Sequence, residues 1–479
     1  MNLRRKALEG LRFQFYLKII GVVLSQVSAI TLAVILMPRD FAIFGVAMVF
    51  VGLGGTISEF GLGSAVIQST SEPGATLRTA TVLRLIMASG VSVSLVLVAP
   101  WIALIYQRPA LTYVIWALCP VVMLNFVSFF PRVDLTKSLR FERLFIPEAI
   151  AGVAGMLSGI AFAIAGYSFW SLVITATVSP AIYAIAMTLL RPWRPSMRLK
   201  GDLARQLLRF GGQLSLGDLL FLVFGNVGIV VLGLMMFDGV GYFLVAYSWT
   251  ISIGLSLFNA LDNVMFPVLS TIQMDKDKIR RGYLLIARYL CWAIIPLGFL
   301  TIIVAPTFVS VLLGTKWIPS IPIIQVLGFA AIMLVLALPY QSVATAVGRP
   351  REILLFNAIG AAVISAMSPP MIHFFGVMGL AASFLLASGL LFGWVLFRLR
   401  AVIGPISVSV LRVSASPVLG SICFAVPILV AQQVVAPSGS FLVLEVGLAI
   451  ATYFAAMGLL TNGNFIDEVR QLTQSFIRS

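Results

Sequence analysis

RPWRPSMRLKGDLARQLLR, residues 191–209, sets six cations against one acid between two long apolar stretches. A segment this basic stays in water, and a membrane-spanning chain keeps such segments on the cytoplasmic side. Working outward from it, apolar stretches alternate with short polar connections in both directions. A span needs ~20 residues at ~1.5 Å rise each, and about fourteen stretches qualify. With that number, alternate connections gather nearly all the positive charge. Of the 32 Lys and Arg residues, only Arg39, Arg108 and Lys316 fall on the opposite side. Adding or removing one span would scatter the pattern. The chain therefore reads as an all-α polytopic membrane protein of about fourteen transmembrane helices, with both termini cytoplasmic.

Composition agrees: 60% hydrophobic and 10% charged residues exclude a water-soluble core. A net charge of +15 could serve nucleic acid, but the cations sit in short loops beside spans. Anionic membrane lipids are the expected partner, and nucleic acid is not. Cys119, Cys291 and Cys423 lie far apart inside apolar stretches, with no disulfide or metal-ligand spacing. The first apolar run, Phe13 to Met37, is span length and has no A-x-A-like site after it, so it reads as a span. The opposite-side connections, such as Met37–Phe41, Tyr106–Ala110 and Gly166–Phe169, are tiny, and Arg191–Leu208 is too short for a domain. Catalytic domains are thereby excluded, and function belongs within the bilayer. No phosphate-loop pattern occurs, so ATP is not implied as the energy source, and no cofactor is expected, with H+ or Na+ coupling left open.

The spans group as six in residues 1–190, a basic linker at 191–209, six in 210–399, and two more with a tail in 400–479. In the tail, Phe465, Ile466, Val469, Leu472, Phe476 and Ile477 share a helical face, which predicts a helix lying on the cytoplasmic membrane surface. The first sixteen residues read likewise, with Leu3, Ala7, Leu8 and Leu11 against a basic face. The two groups of six look like diverged copies. Val98-Ala99-Pro100 ends span 3 shortly before Arg108, and Val304-Ala305-Pro306 ends span 9 shortly before Lys316. Copies with an even number of spans share orientation, which predicts a pseudo-twofold axis along the membrane normal and a cavity between two bundles.

The stretch PRDFAIFGVAMVFVGLGGTISEFGLGSAVIQ (38–68) resembles the first spans of Wzx-type polysaccharide-repeat flippases. These belong to the multidrug/oligosaccharidyl-lipid/polysaccharide flippase superfamily. LRFERLFIPE (139–148), GYSFWSLV (166–173), LLRFGGQLSLGDLL (207–220), DNVMFPVLSTIQ (262–273) and LLGTKWIPSIPIIQVL (312–327) follow in the family's order. The nearest subgroup is the one similar to teichuronic-acid and colanic-acid exporters. The resemblance implies a two-lobed, V-shaped transporter in the bacterial inner membrane. It would move an isoprenoid-diphosphate-linked oligosaccharide from the cytoplasmic to the periplasmic leaflet by alternating access. The product would feed exopolysaccharide, O-antigen (lipopolysaccharide) or capsule synthesis, with a polysaccharide polymerase and a chain-length regulator as partners. Two rivals are a drug/cation antiporter of the same superfamily, which commonly stops at twelve spans, and a membrane polysaccharide polymerase, which usually needs a larger outside loop.

A diphosphate crossing hydrocarbon needs a wet or cationic path. Arg84 in span 3 and Arg288 in span 9 occupy nearly equivalent places in the two copies. Either both snorkel to the headgroups, or they form a funnel for the diphosphate with Lys18, Arg143 and Arg281. No arginine sits at mid-membrane depth; the deep charges are acidic. Glu59 lies ~15 Å in from the cytoplasmic end of span 2, with Asp262 in span 8 and Asp218 in span 7 at comparable depth. Desolvation favours their protonated forms. They are candidates for H+ or Na+ coupling, for bonding sugar hydroxyls, or for static bonds to Asn226 or Asn263. Pro120, Pro180, Pro267, Pro296, Pro306, Pro339 and Pro369-Pro370 are candidate bends for lateral gates. Trp101, Tyr106, Tyr167, Trp170 and Trp317 read as an aromatic belt at the outer boundary, with His373 interfacial. Gly52-Leu53-Gly54-Gly55 and Gly61-Leu62-Gly63-Ser64 permit close helix packing.

Overall fold

A computed structural model describes residues 21–68, 73–138, 140, 142–192, 199–271, 275–404, 407–461, 465 and 468. Among the described residues every regular element is helical. A shorter apolar helix, α1 (Gly21–Ile35), precedes thirteen segments long and apolar enough to span a membrane. The fourteen expected spans are thus recovered, although the start of the first lies outside the described residues.

Spans 2 to 6 comprise α2 (Pro38–Glu59) with α3 (Leu62–Gln68), α4 (Pro73–Ile105), α5 (Ala110–Leu118) with α6 (Pro120–Lys137), α7 (Glu142–Ile164) and α8 (Trp170–Leu190). Spans 7 to 9 are α9 (Gly201–Met235), α10 (Gly239–Trp249) continued by α11 (Ile251–Thr271), and α12 (Lys276–Phe308). The remainder are α13 (Ile321–Ala337) with α14 (Pro339–Ala346), α15 (Pro350–Phe375), α16 (Val377–Ile403), α17 (Ser407–Val434) and α18 (Gly439–Leu460).

Local chemistry sets the starts. Pro38 opens α2, where its missing N–H costs nothing, and the Asp40 carboxylate accepts the Met37 N–H at 2.8 Å. Ser168 donates to the same carboxylate from the loop before α8. Asp275 caps α12 by accepting the N–H groups of Asp277 and Lys278, each at 3.1 Å. The Lys278 backbone bond, then the Lys278 side chain, holds that carboxyl below its usual range.

Several spans are broken. Phe60 (φ 43°) and Gly61 (φ 61°) adopt left-handed backbone between α2 and α3. Of the candidate bends, Pro120 and Pro339 each open a new helix, at α6 and α14. Pro180, Pro296, Pro306, Pro369 and Pro370 instead lie inside continuous helices. The Pro267 ring lies outside the described side chains.

Contacts divide the chain into two bodies, Met1–Leu244 with Leu354–Leu380 and Val245–Ile353 with Ala381–Ser479. The six-six-two grouping of the sequence is a different partition. In the first body α9, the opening span of the second sequence group, packs against α2, α3 and α4. Glycine makes this approach possible. A Cβ on Gly211 would lie 2.4 Å from the Phe60 carbonyl oxygen, and one on Gly61 2.6 Å from the Gly211 oxygen. At the other end of α2, a Cβ on Gly241 would lie 1.9 Å from the Pro38 oxygen. There the Tyr106 hydroxyl donates to the Val230 carbonyl at 3.2 Å, and Arg108 lies 3.8 Å from Asp238 and 4.9 Å over the Phe237 ring.

Backbone cannot rotate away from a new methyl group. Gly241→Ala is therefore expected to destabilise the protein by about 1–3 kcal/mol, read as a lower midpoint when detergent-solubilised protein is heated and its monodisperse fraction counted. A wild-type midpoint would show that α2 and α10 separate freely.

In the second body α12 is the hub, packed on α13, α17 and α18. Three aromatic side chains stand elsewhere than expected. Phe465 is buried, stacking edge-on to Trp292 at 4.8 Å and to Tyr453 at 6.1 Å. Its apolar face is covered by protein, not by lipid; the remaining apolar tail residues lie outside the described residues, as do the first twenty. Trp317 is likewise fully buried and Tyr106 in the first body is buried, so neither belongs to a belt. Trp101 and Tyr167 are exposed as a belt requires, and His373 is exposed beside Phe374.

Candidate functional site: a buried arginine at a helix break

Glu59 is the last residue of α2, and the chain turns left-handed directly after it. A helix C-terminus disfavours an anion and favours a cation, so the Glu59 carboxylate needs a neighbouring positive charge. Arg84 supplies it from α4, with Nη1 3.8 Å from Glu59 Oε1. The guanidinium lies 4.4 Å over the Phe129 ring, a favourable face for a cation. Arg84 is only 6% exposed. It does not snorkel to the headgroups; it is held inside the first body. Its Nε–H has no hydrogen-bond partner. The Glu59 side chain, by contrast, is 56% exposed. Asp218, exposed on α9, lies near enough to feel the Glu59 charge, and Arg132 adds positive potential at Arg84.

The arrangement is a loosely held ion pair. At 3.8 Å the carboxylate attracts the guanidinium without forming a good hydrogen bond. Arg84 thus keeps donor capacity for another anionic oxygen, and a planar fork suits phosphate.

The other candidates differ. Arg288 Nη2 bonds Glu468 Oε2 at 2.9 Å, and its guanidinium lies 5.3 Å over Trp292 and 5.6 Å over Tyr289. The tail therefore already occupies this cation. Arg143 and Arg281 are exposed, and Arg281 Nε makes a long 3.4 Å bond to the Asp277 carbonyl. Lys18 lies outside the described residues. Asp262 accepts a hydrogen bond from Ser342, tying α11 to α14, beside a small void lined by Phe258, Ile286, Leu290 and Pro339. Asn226 bonds its own helix at the Leu222 carbonyl, and the Asn263 side chain is outside the described ones. The structure unites Arg84, Glu59 and Asp218 in one body, whereas Arg288, Arg281 and Asp262 belong to the other.

Three features escaped the sequence. Glu352 accepts from Arg398 and, at 2.6 Å, from the Tyr340 hydroxyl, with Trp394 5.4 Å from the Tyr340 ring. Glu445 is buried at the α12–α17–α18 junction. A cavity of about 360 Å³ lies among α1, α2, α7 and α8, lined by Ser25, Ser28, Phe41, Thr175 and Ser179 with Glu148. A single acid inside an apolar run was the available signal for Glu445, whereas Glu352 follows Arg349-Pro350-Arg351 and reads as part of a polar connection. Among the described residues no cluster of His, Cys, Asp and Glu could hold a metal ion.

The family model described as polysaccharide biosynthesis protein matches residues 16–322. The lipopolysaccharide biosynthesis protein WzxC of Escherichia coli (strain K12) is 25% identical over 366 residues, covering 74% of this chain and 73% of that one. The teichuronic acid biosynthesis protein TuaB of Bacillus subtilis (strain 168) is 24% identical over 299 residues, 61% of each. Among solved structures, the lipid II flippase MurJ in its inward closed conformation has a TM-score of 0.76 at 11% identity, covering 95% of this chain and 99% of that one. An inward-facing MATE family multidrug resistance transporter of the MOP superfamily has a TM-score of 0.61 at 14% identity, over 82% and 98%. These structural likenesses are of fold. The family match covers well over half of the sequence, and the chain belongs to the polysaccharide biosynthesis protein family.

Proposed function

We propose that this multi-pass protein is a flippase of the bacterial inner membrane that carries an isoprenoid-diphosphate-linked oligosaccharide repeat from the cytoplasmic to the periplasmic leaflet. The names of its relatives and the flippase fold support that reading, and Arg84 is the observation that carries it. A bare diphosphate cannot enter hydrocarbon, whereas the isoprenoid tail can stay there throughout. The headgroup needs a cation that is buried, pre-positioned and not committed. Arg84 meets all three requirements: it stacks on Phe129, keeps a free Nε–H, and faces Glu59 at more than hydrogen-bond distance.

Glu59 then acts as a placeholder. Its carboxylate compensates Arg84 between cycles and competes with the incoming phosphate for the guanidinium. Asp218 lies near enough to add negative potential at the same place. Outer-leaflet product is what a polymerase with its chain-length regulator would consume.

Proteoliposomes containing lipid-linked repeat, assayed for headgroup reaching the opposite leaflet, provide the test. Glu59→Gln removes the competing carboxylate and should lower the apparent KM for the lipid-linked repeat. A variant with wild-type KM and rate would end the placeholder role. A second reading, a drug/cation antiporter, draws on the two exposed carboxylates Glu59 and Asp218. Cationic-drug uptake without headgroup movement would favour it.

A further inference from the structure

Glu445 is 1% exposed, one turn and a half into α18 from the end that follows the Val434–Ser440 connection. Its Oε1 accepts two neutral donors, Gln432 Nε2 of α17 at 2.7 Å and Thr307 Oγ1 of α12 at 3.0 Å. Gln432 also donates to the Ile303 carbonyl at 2.9 Å. Oε2 is buried and has no partner. Ile303, Ile428 and Ala449, one helical turn from Thr307, Gln432 and Glu445 respectively, belong to the buried apolar cluster of these helices. Among the described residues of α12, α17, α18 and the turn after α12, the charges nearest along the chain are Arg288, Arg412 and Lys316. The other titratable side chains of these elements that lie nearest, Cys423 and Tyr453, are eight or more residues along from Gln432 and Glu445, and Cys291 is farther from Thr307.

A dry carboxylate with one bare oxygen is costly, whereas an uncharged acid whose carbonyl oxygen takes both donors leaves only one unpaired O–H and costs less. The pattern is that of the acid, with its proton on Oε2. A second observation bears on motion. Just beyond Thr307, α12 widens, and the Gly314 N–H donates to the Val309 carbonyl five residues back at 2.9 Å. Such widened turns are rare and are frequent at functional sites. Pro306, which adds no N–H of its own, immediately precedes Thr307.

We propose that Glu445 is a proton-binding site, filled in this state, which is emptied to and refilled from water at the outer face during transport. The step is ionisation of the carboxyl: the O–H bond of Oε2 breaks, water takes the proton, and the electron pair stays on oxygen. Once ionised, Oε2 must be hydrated, and water can reach it only as the end of α12 parts from α18. Proton release and movement of the widened turn are therefore one event. This site is separate from Arg84 and Glu59, and rests on the transporter reading only for its transport arm.

Infrared difference spectra of the purified full-length protein test it, read at the C=O stretch of protonated carboxyl groups. At neutral pH the wild type should show a component that Glu445→Gln lacks and that disappears at alkaline pH. Thr307→Val, which keeps the carboxyl, should move that component to higher wavenumber as a bond to its carbonyl oxygen is lost. Glu445→Gln should retain its thermal midpoint yet transport about tenfold more slowly. Identical wild-type and Glu445→Gln spectra would overturn the proposal, as would wild-type transport by Glu445→Gln with the component gone. Loss of the component on adding saturating sodium would assign the site to that ion and overturn the proton. A component present in a protein that moves no lipid-linked headgroup would leave the proton site standing and reject the flippase instead.

Discussion

Arg84→Ala should reduce export of the lipid-linked repeat by about a hundredfold while the protein still inserts and accumulates. Two charge-assisted bonds to phosphate are each worth about 1.5 kcal/mol or more, and each 1.4 kcal/mol is about tenfold in rate or binding. Stability suffers less, because the partner left behind, Glu59, is largely exposed and can be hydrated. Adding Glu59→Gln to Arg84→Ala should therefore restore any lost abundance without restoring export. Arg84→Lys keeps the charge but loses the planar fork and its stacking on Phe129, so it should recover only part of the rate. Surface polysaccharide per unit of membrane-inserted protein is the readout. Export by Arg84→Ala at the wild-type level would remove the diphosphate from this site.

The second large effect falls on stability. Glu352 anchors α15 to α14 and α16 by accepting from Tyr340 and from two nitrogens of Arg398. Glu352→Ala strands a buried phenol and a guanidinium whose side chain is 33% exposed. Losing charge-assisted bonds in this setting costs on the order of 2–3 kcal/mol, discounted for the water that reaches Arg398. A markedly lower thermal midpoint in detergent is expected. Arg398→Leu in the same background should recover part of it by removing the stranded charge. Additive losses in the double variant would show that the two residues do not act as a pair.

The fourteen spans were legible because both signals are long-range averages: runs of ~20 apolar residues, and cations confined to alternate connections. The break at Phe60–Gly61 was not, since Gly61-Leu62-Gly63 reads equally as a packing face, and the Gly211 backbone that comes against it lies on a helix far along the chain. The Arg84–Glu59 pair joins residues on different helices, so neither could name the other from spacing alone. Tyr106 and Trp317 lie at span ends, where an aromatic facing lipid and one facing protein leave the same pattern. Phe465 shows the same ambiguity: a residue expected against lipid packs on Trp292. Glu445 was overlooked because a single acid in an apolar span gives no periodicity. Its meaning comes from Gln432 and Thr307, supplied by two other helices.

The most direct measurement is the leaflet location of lipid-linked oligosaccharide in cells depleted of this protein. Repeat units should accumulate facing the cytoplasm, surface polysaccharide should fall, and re-expression of wild type but not Arg84→Ala should reverse both. Repeat units reaching the outer leaflet at the normal rate in depleted cells would contradict the flippase.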